Sequence, residues 1–169
     1  MDYARIPQDE TILEMCQLGE DVLDSEQMQS LRNFTQHGAV TRYEHSLSVC
    51  YLALRIADRF KVQVDRRSMV RGALLHDFYM YDWYDPKDLR LLHGFTHAKE
   101  ALHTAEKIFE LNEVECDVIK KHMFPLNIAL PRYKETVIVS LADKVSATLE
   151  SFHTVKAMRI ARMCSAVGA

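Results

Sequence analysis

The chain has 169 residues, of which 48% are hydrophobic and 27% charged, and its formal net charge is -3. This length suits one domain, and a content of only 5 glycines and 4 prolines excludes a fibrous or disordered chain. The mild negative charge gives no general attraction to nucleic acid or anionic membranes, so we expect neither as a partner. The polar start MDYARIPQDE differs from a signal peptide, and no apolar run approaches the length of a membrane span.

The cysteines are scattered along the chain without a C-x-x-C pair, at Cys16, Cys50, Cys116 and Cys164. This usage predicts reduced, mostly packed thiols in a cytoplasmic protein. The sequence is also compatible with a homo-oligomer.

Helical periodicity dominates the chain, and we find no internal repeat or hairpin signal. The pattern predicts an all-α bundle in a single domain over residues 1–169. A first helix is expected at about residues 9–34, with Gly19 as a point of interruption. The motif-bearing core is expected at about residues 38–152, followed by a C-terminal helix or tail over residues 153–169.

The central helices each carry a polar side chain on an apolar face. "RYEHSLSVCYLALRIADRF" has His45 on its apolar stripe. Asp65 is a plausible N-cap for the next helix, "DRRSMVRGALLHD", which ends on His76 and Asp77.

The second half continues in the same way. A helix beginning near Thr96 carries His97, and "EVECDVIKKH" ends at His122 because Pro125 limits its extension. "ETVIVSLADKVSATLESF" is apolar nearly all round, which predicts a central buried helix, and it holds one conspicuous acid, Asp143.

These side chains together predict a metal centre. One histidine on an apolar face is usually a hydrogen-bonded core residue. Four imidazoles and two carboxylates on five helices are better explained by a cation, because buried carboxylates need positive charge. Mixed nitrogen and oxygen ligands favour transition metals over magnesium or calcium. The predicted ligands are His45, His76, Asp77, His97, His122 and Asp143.

The order of these residues resembles the HD-domain superfamily, which takes its name from an adjacent His-Asp pair, here His76 and Asp77. "RYEHSLSVCYLALRIAD", "GALLHD" and "SLADKVSATLE" are similar to its first, second and last motifs. The resemblance covers roughly residues 38–152. It implies an HD-domain helical bundle and, most often, a metal-dependent phosphohydrolase.

The resemblance also implies how the ligands divide. Single-metal branches use the positions of His45, His76, Asp77 and Asp143. Two-metal branches add two histidines, and "HAKEA" from His97 and "KKH" at His122 reproduce their spacing. We therefore expect two divalent transition-metal ions, iron or manganese first and zinc, cobalt or nickel as alternatives, with Asp77 bridging them.

His93 is an alternative to His97, four residues earlier in "LLHGFTHAKEAL". We place His93 in a loop ahead of the helix and prefer His97 as the ligand, leaving His93 to contact substrate or a metal-bound water. His103 falls on the opposite side of the helix, where a solvated histidine is expected.

The chain departs from the family after the His-Asp pair. Many HD hydrolases continue as His-Asp-x-Gly-Lys, whereas this chain reads His-Asp-Phe-Tyr-Met and lacks the phosphate-binding lysine. Lys99 and Lys144 are candidate replacements, with Lys144 favoured, although each also fits a surface lysine. Asp82 is a candidate general acid or an ordinary loop carboxylate, and Arg42 is a further basic candidate near the site mouth.

The leading hypothesis is a phosphohydrolase that cleaves a small phosphoester or nucleotide with a metal-activated water. Asp77, Lys144 and Asp82 are the candidate catalytic residues, and Lys99, Lys144 and His93 are the candidate substrate contacts. Two alternatives remain: a di-iron oxygenase with the same ligand order, and a non-catalytic metal-binding regulatory module.

Overall fold

Helices make up most of the computed structural model, as the all-α prediction requires. The structure describes residues 9–37, 39–81, 93–152 and 160–165. The helices, in chain order, are α1 (Glu10–Leu18), α2 (Glu20–Leu23), α3 (Glu26–Ser30), α4 (Arg42–Arg59), α5 (Arg66–Leu75), α6 (His93–Glu106), α7 (Glu113–Lys121) and α8 (Lys134–Phe152). Residues 160–165 are also helical.

The N-terminal region is divided into short helices. The expected interruption at Gly19 is present, whereas the expectation that the helix then continues to residue 34 is wrong. Gly19 ends α1, and a Cβ there would lie 2.5 Å from Cδ1 of Leu74 in α5. A second break precedes α3, where the Ser25 hydroxyl accepts a hydrogen bond from the Met28 amide at 3.2 Å. These breaks let short helices fold back over the core, followed by a 3₁₀ turn at Leu31–Asn33.

A small antiparallel hairpin precedes α4, although the sequence carries no hairpin signal there. Its strands are β1 (Thr35–His37) and β2 (Val40–Thr41). Thr41 then caps α4, because its hydroxyl accepts from the Glu44 amide while the Glu44 carboxylate accepts from the Thr41 amide. The hairpin and cap fix the start of the helix that carries His45.

The starts of α5 and α7 are capped in the same manner. The Asp65 carboxylate accepts from the Ser68 amide at 3.1 Å, which confirms the predicted N-cap of α5. Asn112 and Glu115 form a capping box at the start of α7.

Helix α8 packs against α4 and α7. It is not buried on all sides, so the prediction of a central buried helix is wrong. Val139 and Ala142 are fully buried on its inner face. Its outer face exposes a row of apolar side chains, each 38–55% exposed: Val137, Leu141, Val145 and Leu149. Apolar composition alone did not show which face turns inward.

Helices α5 and α7 approach closely where Gly72 faces Val118. Beside this contact the Arg71 guanidinium donates to the Glu115 carboxylate at 2.7 Å, and both side chains are buried. A buried ion pair of this kind fixes the position of α7 relative to α5. Within the described ranges, no helix is long and apolar enough to cross a membrane.

We predict that Gly72→Ala destabilises the protein, although alanine is the better helix former. The new Cβ would lie 2.8 Å from Cβ of Val118, so the helices must separate, at a cost of about 1–3 kcal/mol. Urea unfolding measures the change. Adding Val118→Ala should recover part of the loss, because it removes the colliding methyl groups. Wild-type stability in the single variant would show that the helices accommodate the methyl group.

Candidate metal centre

The predicted ligands converge on one buried site at the ends and inner faces of five helices. Each of them is 0–8% exposed. Their positions are His45 in α4, His76 and Asp77 directly after α5, His97 in α6, His122 directly after α7, and Asp143 in α8.

One group of ligand atoms comes from His45, His76 and Asp143, and these atoms all lie within 4.8 Å of one another. Nε2 of His45 is 3.2 Å from Oδ1 of Asp143, and Nε2 of His76 is 3.8 Å from the same oxygen. The three side chains therefore offer two nitrogens and a carboxylate oxygen to one point.

A second group surrounds the other side of Asp77. His76, Asp77 and His122 also place ligand atoms within 4.8 Å of one another. Oδ1 of Asp77 lies 3.4 Å from Nε2 of His97 and 3.6 Å from Nε2 of His122, while Oδ2 lies 3.5 Å from Nε2 of His76. The carboxylate thus directs one oxygen toward each group.

Hydrogen bonds to backbone carbonyls set the tautomers of two ligands. Nδ1 of His76 donates to the Ala73 carbonyl at 2.8 Å, and Nδ1 of His122 donates to the Ile119 carbonyl at 2.9 Å. Since a carbonyl only accepts, each ring carries its proton on Nδ1 and directs Nε2 toward the site. Such outer hydrogen bonds are typical of metal-ligating histidines.

Within the part of the chain that the structure describes, two buried atoms at the centre lack a hydrogen-bond partner, namely Nε2 of His76 and Oδ1 of Asp77. Buried polar atoms are normally paired. In addition, Nε2 of His97 and Nε2 of His122 lie only 3.1 Å apart. Bound divalent metal would provide partners for Nε2 of His76 and Oδ1 of Asp77 and would coordinate the two facing imidazole nitrogens, so the residues fit a metal centre.

The directions of the pKa shifts of these residues also fit a metal centre. Burial would raise the pKa of Asp77, but the surrounding imidazoles, His76 and His97 foremost, hold it well below its usual range. Burial, with a smaller effect of His76, lowers the pKa of His122 to about 3 and keeps that ring neutral. Burial also lowers the pKa of His45, but its hydrogen bonds to Asp143 and Glu150 outweigh burial and raise it to about 10. A metal at His45 would therefore displace a proton.

Glu150 is a positioning residue that sequence reasoning missed. Its Oε2 accepts a hydrogen bond from Nδ1 of His45 at 2.8 Å, which directs the other ring nitrogen toward Asp143. Glu150 follows Asp143 by seven residues, so both lie on the same face of α8. The seven-residue spacing of these two acids in the sequence could have identified Glu150.

Gln36 and Arg42 position Asp77 from the other side. The Gln36 amide donates to Oδ2 of Asp77 at 2.5 Å, while its carbonyl accepts from Nε of Arg42 at 3.0 Å. Arg42 is fully buried and also donates to the Tyr79 and Tyr81 carbonyls, at 2.7 and 3.3 Å. The sequence placed Arg42 near the site mouth. Because its side chain is fully buried, that placement is wrong. No periodic signal marks Gln36.

The two candidate lysines have different surroundings. The Lys144 ammonium donates to the carbonyls of His122 and Ser140, both at 3.1 Å, and to the Ser140 hydroxyl at 2.8 Å. Partial burial lowers the pKa of Lys144. Lys99 is exposed on α6.

Helix α6 begins at His93 rather than near Thr96, which corrects the placement of His93 in a loop. His93 and His97 are thus one turn apart on the same helix. The side chain of His93 and all of Asp82 lie outside the described residues. His103 is exposed, as predicted.

Residues 42–148 match the sequence profile of the HD domain, which covers the helices that supply all of the ligands. The chain belongs to the HD-domain family, whose members are generally metal-dependent hydrolases of all-α fold.

One curated relative is the uncharacterized protein MJ1154 of Methanocaldococcus jannaschii, which is 36% identical over 66 residues. The match covers 34% of this chain and 14% of that protein, so the chain spans a small part of its length. No solved structure matches the chain.

We predict that Glu150→Leu weakens divalent-metal binding by about 10–100-fold, because it removes the acceptor that orients His45. Glu150→Gln keeps a neutral acceptor and should lose less. Competition with a chromogenic chelator measures both affinities. Equal affinities in the wild type and both variants would show that Glu150 does not position the ligand.

Proposed function

We propose that this chain is a metal-dependent phosphohydrolase, in a single HD domain, that cleaves a small phosphoester or nucleotide. The observation that carries the proposal is the Asp77 carboxylate, which faces imidazoles through each of its oxygens. A carboxylate in this position is suited to bridging two cations. Family membership supports the same class of chemistry.

The ligands divide between two ions in this proposal. His45, His76, Asp77 and Asp143 would hold one ion, and Asp77, His97 and His122 the other. Two divalent ions, iron or manganese first, would supply Lewis acidity that lowers the pKa of a water and polarises phosphoryl oxygens.

The protein's own residues prepare the site for this chemistry. Gln36 holds Asp77, and Glu150 holds His45, so these ligands need little reorganisation. Lys144 fixes the backbone at His122 through its hydrogen bond to that carbonyl. Low exposure of the ligands limits bulk water and strengthens electrostatic contacts with a bound anion.

The remaining candidates have roles at the periphery of the site. Lys99 and Lys144 are proposed to attract the phosphate, and Lys144 already lies beside Asp143 in sequence. Asp82 and His93 are proposed to contact substrate, with Asp82 as the acid that protonates the leaving group.

The first test is metal content in protein purified without oxygen and without an affinity metal. We expect two equivalents per chain in the wild type and about one in His122→Ala, because one proposed ion loses a ligand. His103→Ala is the matched control, since His103 is exposed and should leave the content unchanged. One equivalent in the wild type, unaffected by His122→Ala, would contradict the two-ion assignment.

The second test is hydrolysis by Asp77→Asn. We expect phosphate release from a panel of nucleotides and simple phosphoesters to fall by about 10³-fold or more, because the bridging charge is lost. Circular dichroism verifies the fold of the variant. Oxygen uptake by the iron-loaded wild type, without phosphate release, would instead assign the di-iron oxygenase. Metal binding with neither activity would assign the regulatory module.

A further inference from the structure

Cys16 and Cys164 lie in contact although 148 positions separate them in the sequence. Cys16 belongs to α1 and Cys164 to the helical segment at residues 160–165, and their sulfur atoms are 2.8 Å apart. A disulfide requires about 2.05 Å between the sulfurs. Only a small movement of the side chains therefore separates the thiol pair from a bond.

The pair borders a surface cavity of about 790 Å³. Both cysteines line it, together with Arg32 and Tyr43, and the Arg32 guanidinium lies 3.7 Å from the centre of the Tyr43 ring. Cys16 is partly exposed, whereas Cys164 is buried. A small reagent thus has access to Cys16 in particular.

We propose that Cys16 and Cys164 form a dithiol modification site, which low-molecular-weight disulfides oxidise to an intramolecular disulfide. This site is separate from the metal ligands, and the proposal does not depend on the proposed function. The sequence alone predicted packed, reduced thiols without such a pairing.

The difference in exposure between the two thiols assigns their roles. Cys16 is partly exposed and can meet a small disulfide, whereas Cys164 is buried directly behind it. Cys16 is therefore the attacking thiolate and Cys164 the resolving thiol.

The exchange proceeds in two balanced steps. The Cys16 thiolate attacks one sulfur of the small disulfide, forms a mixed disulfide and releases one small thiolate. Cys164 then loses its proton and attacks the Cys16 sulfur, which forms the protein disulfide and releases the second thiolate. The two protein thiols are oxidised, and the small disulfide is reduced to two thiols.

The bond would join α1 to the C-terminal helical segment, whose Ile160 and Ala161 belong to the hydrophobic core. It would close a loop of nearly the whole described chain, which restricts the unfolded state strongly. We expect oxidation to raise Tm by on the order of 5–10 °C.

The test incubates the reduced full chain with glutathione disulfide at about pH 8, where thiolates are populated. Alkylation and intact mass are expected to show two thiols lost without retained glutathione, and peptide mapping to join Cys16 to Cys164. Cys164→Ser should stop at one glutathione on Cys16. Cys116→Ser, the matched control in α7, should oxidise like the wild type.

Two results would overturn the proposal. The first is four alkylatable thiols after conditions that oxidise a reference dithiol, and the second is a disulfide that joins another pair or two molecules. Because the key measurement uses wild-type protein, poor folding of a variant does not affect it.

Discussion

The fold depends on how one buried carboxylate is compensated. Asp77 is 3% exposed and lies among imidazoles supplied by four helices or their ends. An ionised carboxylate is costly in the interior unless charge and hydrogen bonds surround it. The helices that form the core are therefore also the helices that must meet at this residue, so packing and charge compensation constrain the same arrangement.

The hydrogen bonds that hold Asp77 extend beyond its direct neighbours. Gln36 connects it to Arg42, a fully buried cation whose other donors hold the backbone carbonyls of Tyr79 and Tyr81. Among the described residues, no carboxylate lies within ion-pair distance of Arg42. Backbone dipoles and the Tyr79 ring, 3.7 Å from the guanidinium, stabilise it instead. The segment that follows the His-Asp pair is thus fixed to the start of α4.

Sequence patterns predicted the parts of the site that depend on helical periodicity. His45 and Asp143 stood out because polar residues on apolar faces are rare, and the Asp65 cap followed from local chemistry. The break before α3 and the hairpin before α4 depend on tertiary packing, which periodicity does not encode. The start of α6 was misplaced because His93 was assigned to a loop ahead of the helix, whereas the helix already begins at His93. Gln36 lies in β1, a strand of three residues that is too short to show a pattern in the sequence.

Helix α8 contacts both nitrogen atoms of the His45 ring: Asp143 contacts Nε2, and Glu150 contacts Nδ1. A single inserted or deleted residue between these two acids would rotate one of them by about 100° around the helix. The seven-residue spacing between Asp143 and Glu150 therefore cannot change without loss of one contact to His45. The loops between the predicted ligands, in contrast, can vary in length. In related chains the pattern Asp-x₆-Glu after the His-Asp pair would distinguish members that share this clamped histidine from those that do not.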